Sequence, residues 1–280
     1  MTSRMPASMP LYGGTQNRRI NISDLLKAKA DGDKWPMITS YDAITARIFD
    51  DAGYPVLLVG DSAAMVVFGY DSTIPVTVDD MLPLVGAVVR GSSRAMVVAD
   101  LPFGSTITPA QSVETATRFM KEGGAHAVKI EGGVEKVEHI RALVASGIPV
   151  MGHIGLRPQH VHSMGGYRVQ GRGESGAAII HDALAIQEAG VFSMVLEVIP
   201  HELAKEITHK VAVPTIGIGA GAQTDAQVIV WQDLVGLNNS KPAKFVKQFA
   251  NVREMISQAA ISWADEVVSG KYPDLDHSYE

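Results

Sequence analysis

The 280-residue sequence contains no cysteine. Disulfide bonds, catalytic thiolates and sulfur-ligated metal sites are therefore excluded, and a metal ion would have to bind through oxygen or nitrogen. The chain also lacks a run of about 20 apolar residues, the length that a membrane-spanning helix needs. It has no cluster of lysine and arginine, and its formal net charge is −6. These absences argue against a membrane or nucleic-acid partner.

The N-terminal segment lacks the apolar core of a secretory signal, so we expect a cytoplasmic protein. Residues 1–17 are rich in turn-forming residues and are predicted to be a flexible tail. The rest of the chain has an ordinary globular composition, with 46% hydrophobic and 19% charged residues. This length accommodates one or two smaller domains or a single α/β barrel.

Short apolar strands alternate with amphipathic helices from Trp35 onward. The predicted strands are 36–42, 55–61, 94–100, 125–131, 148–154, 192–198 and 213–219, with a weaker eighth at 226–233. Strands buried on both faces and separated by helices are typical of a parallel sheet. Eight of them favour a closed (β/α)8 TIM barrel, with an open doubly wound sheet as the alternative. We assign residues 18–270 to this barrel and 271–280 to a C-terminal tail.

Three segments lie outside this alternation. NISDLLKAKADGDK predicts an N-terminal helix that Asn21 or Ser23 caps and that Gly32 ends. Residues 241–268 predict a long helix or a pair of helices. Between strand five and its helix lies LRPQHVHSMGGYRVQGRGESG, a loop long enough to suggest a functional role.

Four predicted strands end in an acidic residue: Asp61 in VLLVGD, Asp100 in VVAD, Glu131 in AVKIE and Glu197 in MVLE. The carboxyl ends of parallel strands carry the active sites of such folds, so these side chains are expected to meet. Any one of them could merely cap a helix, as could Asp42 after strand one. Crowded carboxylates, however, repel each other unless a cation or protons compensate their charge. With oxygen ligands and no cysteine, Mg²⁺ is the natural choice.

Three further residues are candidates for the same site. Lys129 lies two residues before Glu131 and on the same face of the strand, where it could bind a substrate oxyanion or hold the carboxylates in a salt bridge. A Schiff-base lysine fits less well. His153 is either a supporting site residue or a core histidine, and Ser62 either binds an anion or caps a turn. GIGAGAQTD (217–225) reads equally as a phosphate loop or as tight packing.

Longer motifs identify a family. VGDSAAMVVFGYDSTIPVTVDDM, VVADLPFGS, VKIEGG, GHIGLRPQ, GGYRVQGRG, VLEVIP and IGIGAGAQTDAQVIVWQD occur in this order within residues 20–270. Together they resemble the 3-methyl-2-oxobutanoate (ketopantoate) hydroxymethyltransferase family. The resemblance implies a barrel of the phosphoenolpyruvate/pyruvate type and a homo-oligomer, usually a decamer, in pantothenate biosynthesis. It also implies transfer of a one-carbon unit from 5,10-methylenetetrahydrofolate to 3-methyl-2-oxobutanoate.

The same resemblance implies roles for individual residues. Asp61 and Asp100 match Mg²⁺ ligands, and Glu131 matches a third acid at the metal. Glu197 matches the catalytic base. The residues that match the substrate-binding set are Asp61, Ser62, Asp100 and Lys129.

Two other functions compete with this one. A lyase of the same barrel type would cleave a carbon–carbon bond of a 2-oxo acid, but such relatives commonly carry a reactive cysteine, which this chain lacks. A non-catalytic scaffold would use its strand-end acids only as helix caps. Loss of turnover without loss of folding on replacement of Glu197 separates the enzyme from the scaffold.

Overall fold

Eight short strands of mainly aliphatic residues form a closed parallel barrel in chain order. The computed structural model describes residues 11–13, 18–238 and 241–280. The strands are β1 (Trp35–Thr39), β2 (Val56–Val59), β3 (Met96–Asp100), β4 (Ala127–Glu131), β5 (Val150–Gly155), β6 (Ser193–Glu197), β7 (Thr215–Ile218) and β8 (Ala226–Ile229). The predicted closed barrel is confirmed, and the open sheet is excluded by the pairing of β1 with β8.

Helices follow most of the strands along the chain. They are α1 (Ile22–Asp31), α2 (Ala43–Asp51), α3 (Ala63–Val66), α4 (Val78–Gly91), α5 (Pro109–Lys121), α6 (Val137–Ala145), α7 (Gly176–Ala189), α8 (His201–Lys210), α9 (Trp231–Leu234) and α10 (Val252–Val268). Among the described residues, no helix combines the length and the apolarity needed to span a bilayer.

The predicted N-terminal helix begins and ends as its sequence indicates. The Asn21 side chain accepts hydrogen bonds from the backbone N–H groups of Ser23 and Asp24, which satisfies donors that the first helical turn leaves free. Gly32 ends α1 with φ 73°, in the left-handed region that costs glycine little. Of the two candidate caps, Asn21 is therefore the one used.

The amino ends of the strands enclose an apolar cluster. It contains the first residues of β1 and β2, Trp35 and Val56, together with Leu25 of α1. Leu11, which belongs to the predicted tail, is also buried in this cluster. Residues 1–10 and 14–17 of that tail lie outside the described residues, so its flexibility stays a prediction.

Two predicted elements are shorter in the structure. Strand eight ends at Ile229 because Trp231 begins α9. The predicted helix at 241–268 begins only at Val252. Before it, the N–H of Phe249 donates to the carbonyl of Leu234, 2.8 Å away, so this N–H is not used within a helix.

The chain divides into two compact units. The first extends to Val230 and contains the barrel with α1–α8. The second comprises Trp231–Glu280 and contains α9 and α10. The assignment of residues 18–270 to one barrel domain, with 271–280 as a tail, stays a prediction.

Candidate active site

Acidic side chains collect at the carboxyl ends of the strands. Asp100, Glu131 and Glu197 are the last residues of β3, β4 and β6, and Asp61 follows β2. Asp61, Asp100 and Glu131 are buried, whereas the Glu197 side chain is 16% exposed. The chain therefore shields three carboxylates from water and leaves the fourth accessible from the barrel mouth.

Lys129 pairs directly with Asp100. The two residues lie opposite each other in the β3–β4 register, and Lys129 Nζ is 2.7 Å from both carboxylate oxygens of Asp100. The backbone N–H of Asp61 donates to Asp100 Oδ2 at 3.2 Å. Burial lowers the pKa of Lys129, but the charges of Asp100, Glu131 and Asp61 outweigh burial and raise the pKa overall. Lys129 thus stays positively charged inside the barrel.

His153 lies between Glu131 and Glu197. Its Nδ1 is 3.5 Å from Glu131 Oε1, and its Nε2 is 3.2 Å from Glu197 Oε2. Neither contact is aligned as a hydrogen bond. Attraction between opposite charges therefore holds the imidazole between the two glutamates. Burial and Lys129 lower the pKa of His153, but the two glutamates outweigh them and raise it to about 9. The imidazole is therefore a cation at neutral pH, and the supporting role predicted for it has a geometric basis.

The charges of this site do not balance. Four acids face two cationic groups, Lys129 and His153, which leaves an excess of negative charge in a buried place. Burial, followed by the charges of Asp100 and Glu131, raises the pKa of Asp61 well above its usual value. Such a site takes up either a proton or a cation.

The donor set fits a hard divalent cation that has few protein ligands. Glu131 Oε1 is buried and has no hydrogen-bond partner, so one oxygen is free to bind. No three His, Asp or Glu side chains of the described part of the chain converge as a complete metal cage. Mg²⁺ is commonly bound by one or two carboxylates together with water and substrate oxygens. The assignment of Asp61, Asp100 and Glu131 to the metal stays a prediction.

Ser62 has a partner that sequence reasoning missed. The hydroxyl groups of Tyr41 and Ser62 are 2.8 Å apart, and Tyr41 is buried beside the acids. Burial raises the pKa of Tyr41, and Asp61 and Asp100 add to the shift. The Ser62 side chain makes no cap hydrogen bond to α3. The cap alternative for Ser62 therefore lacks its hydrogen bond, and the anion-binding role stays a prediction.

The long loop between β5 and α7 reaches the site. Gln159 is buried there and contacts two of the acids, Asp61 and Glu131. Tyr167 is about half exposed, and burial together with the charges of Glu197 and the two buried acids raises its pKa. The sequence marked this loop by its length, but no local pattern singled out Gln159 or Tyr167.

The backbone next to Glu197 is strained. Val198 has φ 48°, which is rare for a β-branched residue and is found mainly where a site needs it. Its N–H donates to the carbonyl of Ile218 at 2.8 Å, and its carbonyl accepts from the N–H of Gln170 at 2.9 Å. Gly155 approaches from β5, where a Cβ would lie 2.4 Å from the carbonyl oxygen of Glu197. These contacts fix the position of the Glu197 backbone.

Two other sequence features do not join the site. Asp42 caps α2, with its carboxylate accepting from the backbone N–H groups of Ile44 and Thr45. In the Gly-rich segment 217–225, a Cβ on Gly217 would lie 2.7 Å from the Thr224 hydroxyl oxygen. Tight packing therefore accounts for that glycine, in line with one of the two alternatives.

Sequence comparison identifies close relatives. The model of the family described as ketopantoate hydroxymethyltransferase matches residues 19–275. The chain is 61% identical over 281 residues to 3-methyl-2-oxobutanoate hydroxymethyltransferase of Thermobifida fusca (strain YX), and the match covers 100% of both chains. The protein of the same name from Mycobacterium sp. (strain KMS) is 57% identical over 262 residues, which cover 93% of each chain. The relatives thus span nearly the full length.

Solved structures of other proteins share the fold. Phosphoenolpyruvate phosphomutase from Streptomyces platensis subsp. rosaceus has a TM-score of 0.60 at 13% identity, covering 89% of this chain and 88% of its own. The structure of 2,3-dimethylmalate lyase, a member of the PEP mutase/isocitrate lyase superfamily, has a TM-score of 0.58 at 17% identity, with coverages of 92% and 91%. At such identities the likeness concerns the fold alone, and it confirms the predicted barrel type.

Proposed function

Because the chain belongs to the ketopantoate hydroxymethyltransferase family, we propose that it transfers a hydroxymethyl group from 5,10-methylenetetrahydrofolate to 3-methyl-2-oxobutanoate. The products are 2-dehydropantoate and tetrahydrofolate, in the pathway to pantothenate. The observation that carries this proposal is the placement of Glu197, the one partly exposed acid, beside three buried acids at the same barrel mouth. Glu197 removes a proton there, the buried acids bind a cation, and the neighbouring Lys129 and Ser62 bind the oxo acid.

The buried residues suit the binding of a 2-oxo acid. Lys129 carries three N–H donors, and Asp100 does not use all of them, so a donor is left for the substrate carboxylate. The Ser62 hydroxyl, held by Tyr41, supplies a second donor. Fixing the carboxylate at two points orients the rest of the molecule and lowers the entropic cost of the reaction.

Asp61, Asp100 and Glu131 would hold a hard divalent cation such as Mg²⁺. When bound, this ion would polarise the keto group of the oxo acid and make its C3 proton more acidic. The excess of negative charge supports this assignment, as does Glu131 Oε1, which has no hydrogen-bond partner. Oxygen ligands suit Mg²⁺ but do not separate it from similar ions such as Mn²⁺, so the choice between these ions rests on the resemblance.

Glu197 is the proposed base. A general base must reach the proton that it removes, and Glu197 is the acid whose side chain is accessible from the mouth. His153, 3.2 Å from Glu197 Oε2, fixes the carboxylate on the side of the buried acids. The C3 proton passes to Glu197, and C3 forms the new bond to the one-carbon unit. Water supplies the hydroxyl oxygen as the two carbon–nitrogen bonds of the methylene group break. The two water protons and the proton from Glu197 end on the hydroxyl group and on the two nitrogens of tetrahydrofolate.

The test is a direct assay of the purified protein. We expect formation of 2-dehydropantoate, detected by mass spectrometry, from 3-methyl-2-oxobutanoate and 5,10-methylenetetrahydrofolate with Mg²⁺. Removal of the metal with a chelator is expected to stop the reaction, and re-addition of Mg²⁺ to restore it. Absence of product at high enzyme concentration would refute the proposed reaction. Activity that survives complete metal removal would refute only the metal assignment.

The decameric assembly and the cytoplasmic location stay predictions from the resemblance and the sequence. Neither enters the assignment of the site, because every residue discussed belongs to the unit that contains the barrel.

A further inference from the structure

Gln159 connects the long β5–α7 loop to two of the acids at the barrel mouth. Its side-chain Nε2 donates to Asp61 Oδ2 at 2.9 Å and to the carbonyl of Leu101 at 2.9 Å. Its backbone N–H donates to Glu131 Oε2 at 3.2 Å. Gln159 is 8% exposed, although the short 3₁₀ turn that carries it, Pro158–His160, lies within the loop. One loop residue therefore contacts acids of two separate strands.

These contacts constrain the acids as well as the loop. A carboxylate has two oxygens, and Gln159 binds one oxygen of Asp61 and one of Glu131. Neither carboxylate can rotate freely while these hydrogen bonds hold. The second donor contact of the amide, to the Leu101 carbonyl, fixes the amide itself. Such outer contacts set the direction in which an acid presents its remaining oxygen to a cation.

The same loop is tied to the strand that carries Glu197. At the start of the loop, the N–H of Leu156 donates to the carbonyl of Glu197 at 2.8 Å. Near its end, the N–H of Gln170 donates to the carbonyl of Val198 at 2.9 Å. Backbone hydrogen bonds thus hold the loop near both of its ends. Gln159, which lies between these two points, connects the loop to the acids.

We propose that Gln159 is a positioning residue that couples the order of the β5–α7 loop to cation binding by Asp61 and Glu131. This inference rests on the proposed function, which assigns the two acids to the metal. Coupling between two events is reciprocal. A cation that fixes the two acids therefore also stabilises the loop, and a less ordered loop weakens the binding of the cation. The side chain acts through Asp61 and does not touch the reacting atoms.

The first test measures binding of Mn²⁺, a paramagnetic probe for a hard divalent site, without substrates. Titrations followed by electron paramagnetic resonance compare the wild type with Gln159→Met, which keeps the length of the side chain and removes its amide. Loss of an outer contact commonly costs about 10- to 100-fold in metal affinity. We expect Gln159→Met to weaken Mn²⁺ binding at least tenfold, and an affinity within threefold of wild type would overturn the proposal.

Gln170→Met is the matched control. Gln170 is the same residue type in the same loop, but among the described residues its side-chain amide donates only to the nearby carbonyl of Arg168. We expect Mn²⁺ affinity within twofold of wild type for this variant. An equal loss in both variants would overturn the proposal, because any disturbance of the loop would then suffice. If Gln159→Met does not fold, Gln159→Asn, whose amide is too short to reach Asp61, takes its place.

The second test follows the loop in hydrogen exchange. In the wild type, Mn²⁺ is expected to slow exchange of peptides that cover residues 156–170, because the Gln159 side-chain amide connects the loop to Asp61. In Gln159→Met this slowing is expected to be lost. Equal slowing in both proteins would overturn the coupling. Proton exchange of the oxo acid by the wild type tests the proposed function separately.

Discussion

The two ends of the barrel are built from opposite chemistry on the same strands. At the amino ends, Trp35 and Val56 begin their strands within a buried apolar cluster that also contains Leu25. At the carboxyl ends, β3 and β4 end in buried acids beside a buried lysine. The apolar end gains free energy from burial, whereas the charged end costs free energy that only paired charges or a bound ligand offset. Stability and function are therefore separated along each strand.

Two histidines, one at each end of the barrel, have pKa values shifted in opposite directions. His126 directly precedes β4, at the amino end, where its Nδ1 accepts a hydrogen bond from the Val97 N–H at 3.0 Å. Burial, together with the charge of Arg19, lowers its pKa to about 4. His153, among the acids of the other end, has its pKa raised to about 9. The same side chain is thus held neutral at one end and charged at the other.

The largest effect is expected from Lys129→Met at the charged end. Removing one partner of a buried ion pair leaves Asp100 uncompensated, which commonly costs about 3–5 kcal/mol. We expect a loss of that size in the unfolding free energy of the metal-free protein, together with loss of turnover. Adding Asp100→Asn is expected to restore stability but not turnover. Recovery of turnover in the double variant would show that Lys129 serves the fold alone.

At the apolar end, Leu25→Ala is expected to reduce stability without affecting chemistry. Leu25 is fully buried in the cluster, and such truncations cost about 2–5 kcal/mol. Chemical denaturation measures this loss, and the turnover rate of the folded variant is expected to match wild type. A tenfold fall in that rate would show that the two ends are not independent.

The opposite histidine shifts predict opposite pH dependences in the metal-free protein. Since the folded-state pKa of His153 lies above the ordinary 6.5, its stabilising contribution is full below pH 6.5 and is lost as the pH rises through 9. For His126 the folded-state pKa is lower, so stability present above pH 6.5 is lost as the pH falls toward 4. The free energy of unfolding in urea, measured as a function of pH, shows both losses: an alkaline limb above pH 6.5 and an acid limb below it. His153→Gln is expected to flatten only the alkaline limb and His126→Gln only the acid limb. Titration of both rings near pH 6.5 in NMR spectra would contradict this account.

The smallest effect is expected from Tyr41→Phe. It removes one hydroxyl that orients Ser62, and a single hydrogen bond contributes about 1 kcal/mol. We expect KM for the oxo acid to rise about fivefold with little change in kcat. Tyr54→Phe, which alters a half-buried ring outside the site, serves as the control. A fall in kcat without a change in KM would place Tyr41 in the chemistry instead of in substrate binding.

Much of the charged end follows from the sequence because the barrel brings strand ends together. Once Asp100, Glu131 and Glu197 each close a buried strand, parallel pairing leaves them one place to meet. Alternation along β4 likewise puts Lys129 on the face of Glu131. The same reasoning fails for Asp42. This residue also follows a strand, but its carboxylate caps α2 and does not join the site.

The remaining contacts depend on how distant segments approach each other, which no local pattern records. Tyr41 meets Ser62 across two strands, and Gln159 meets Asp61 from a loop far along the chain. The start of α10 at Val252 was missed for a related reason. The residues before it bond to the segment after α9, so tertiary contacts override an amphipathic pattern.

The measurement that tests the central claim most directly is exchange of the C3 proton of 3-methyl-2-oxobutanoate with deuterated water, followed by NMR without folate. It isolates the step assigned to Glu197. The account predicts metal-dependent exchange by the wild type and a loss of about 100-fold or more in Glu197→Gln, the range for a general base. The variant is expected to stay folded and to bind Mn²⁺ as the wild type does. Exchange by folded Glu197→Gln at the wild-type rate would contradict the account.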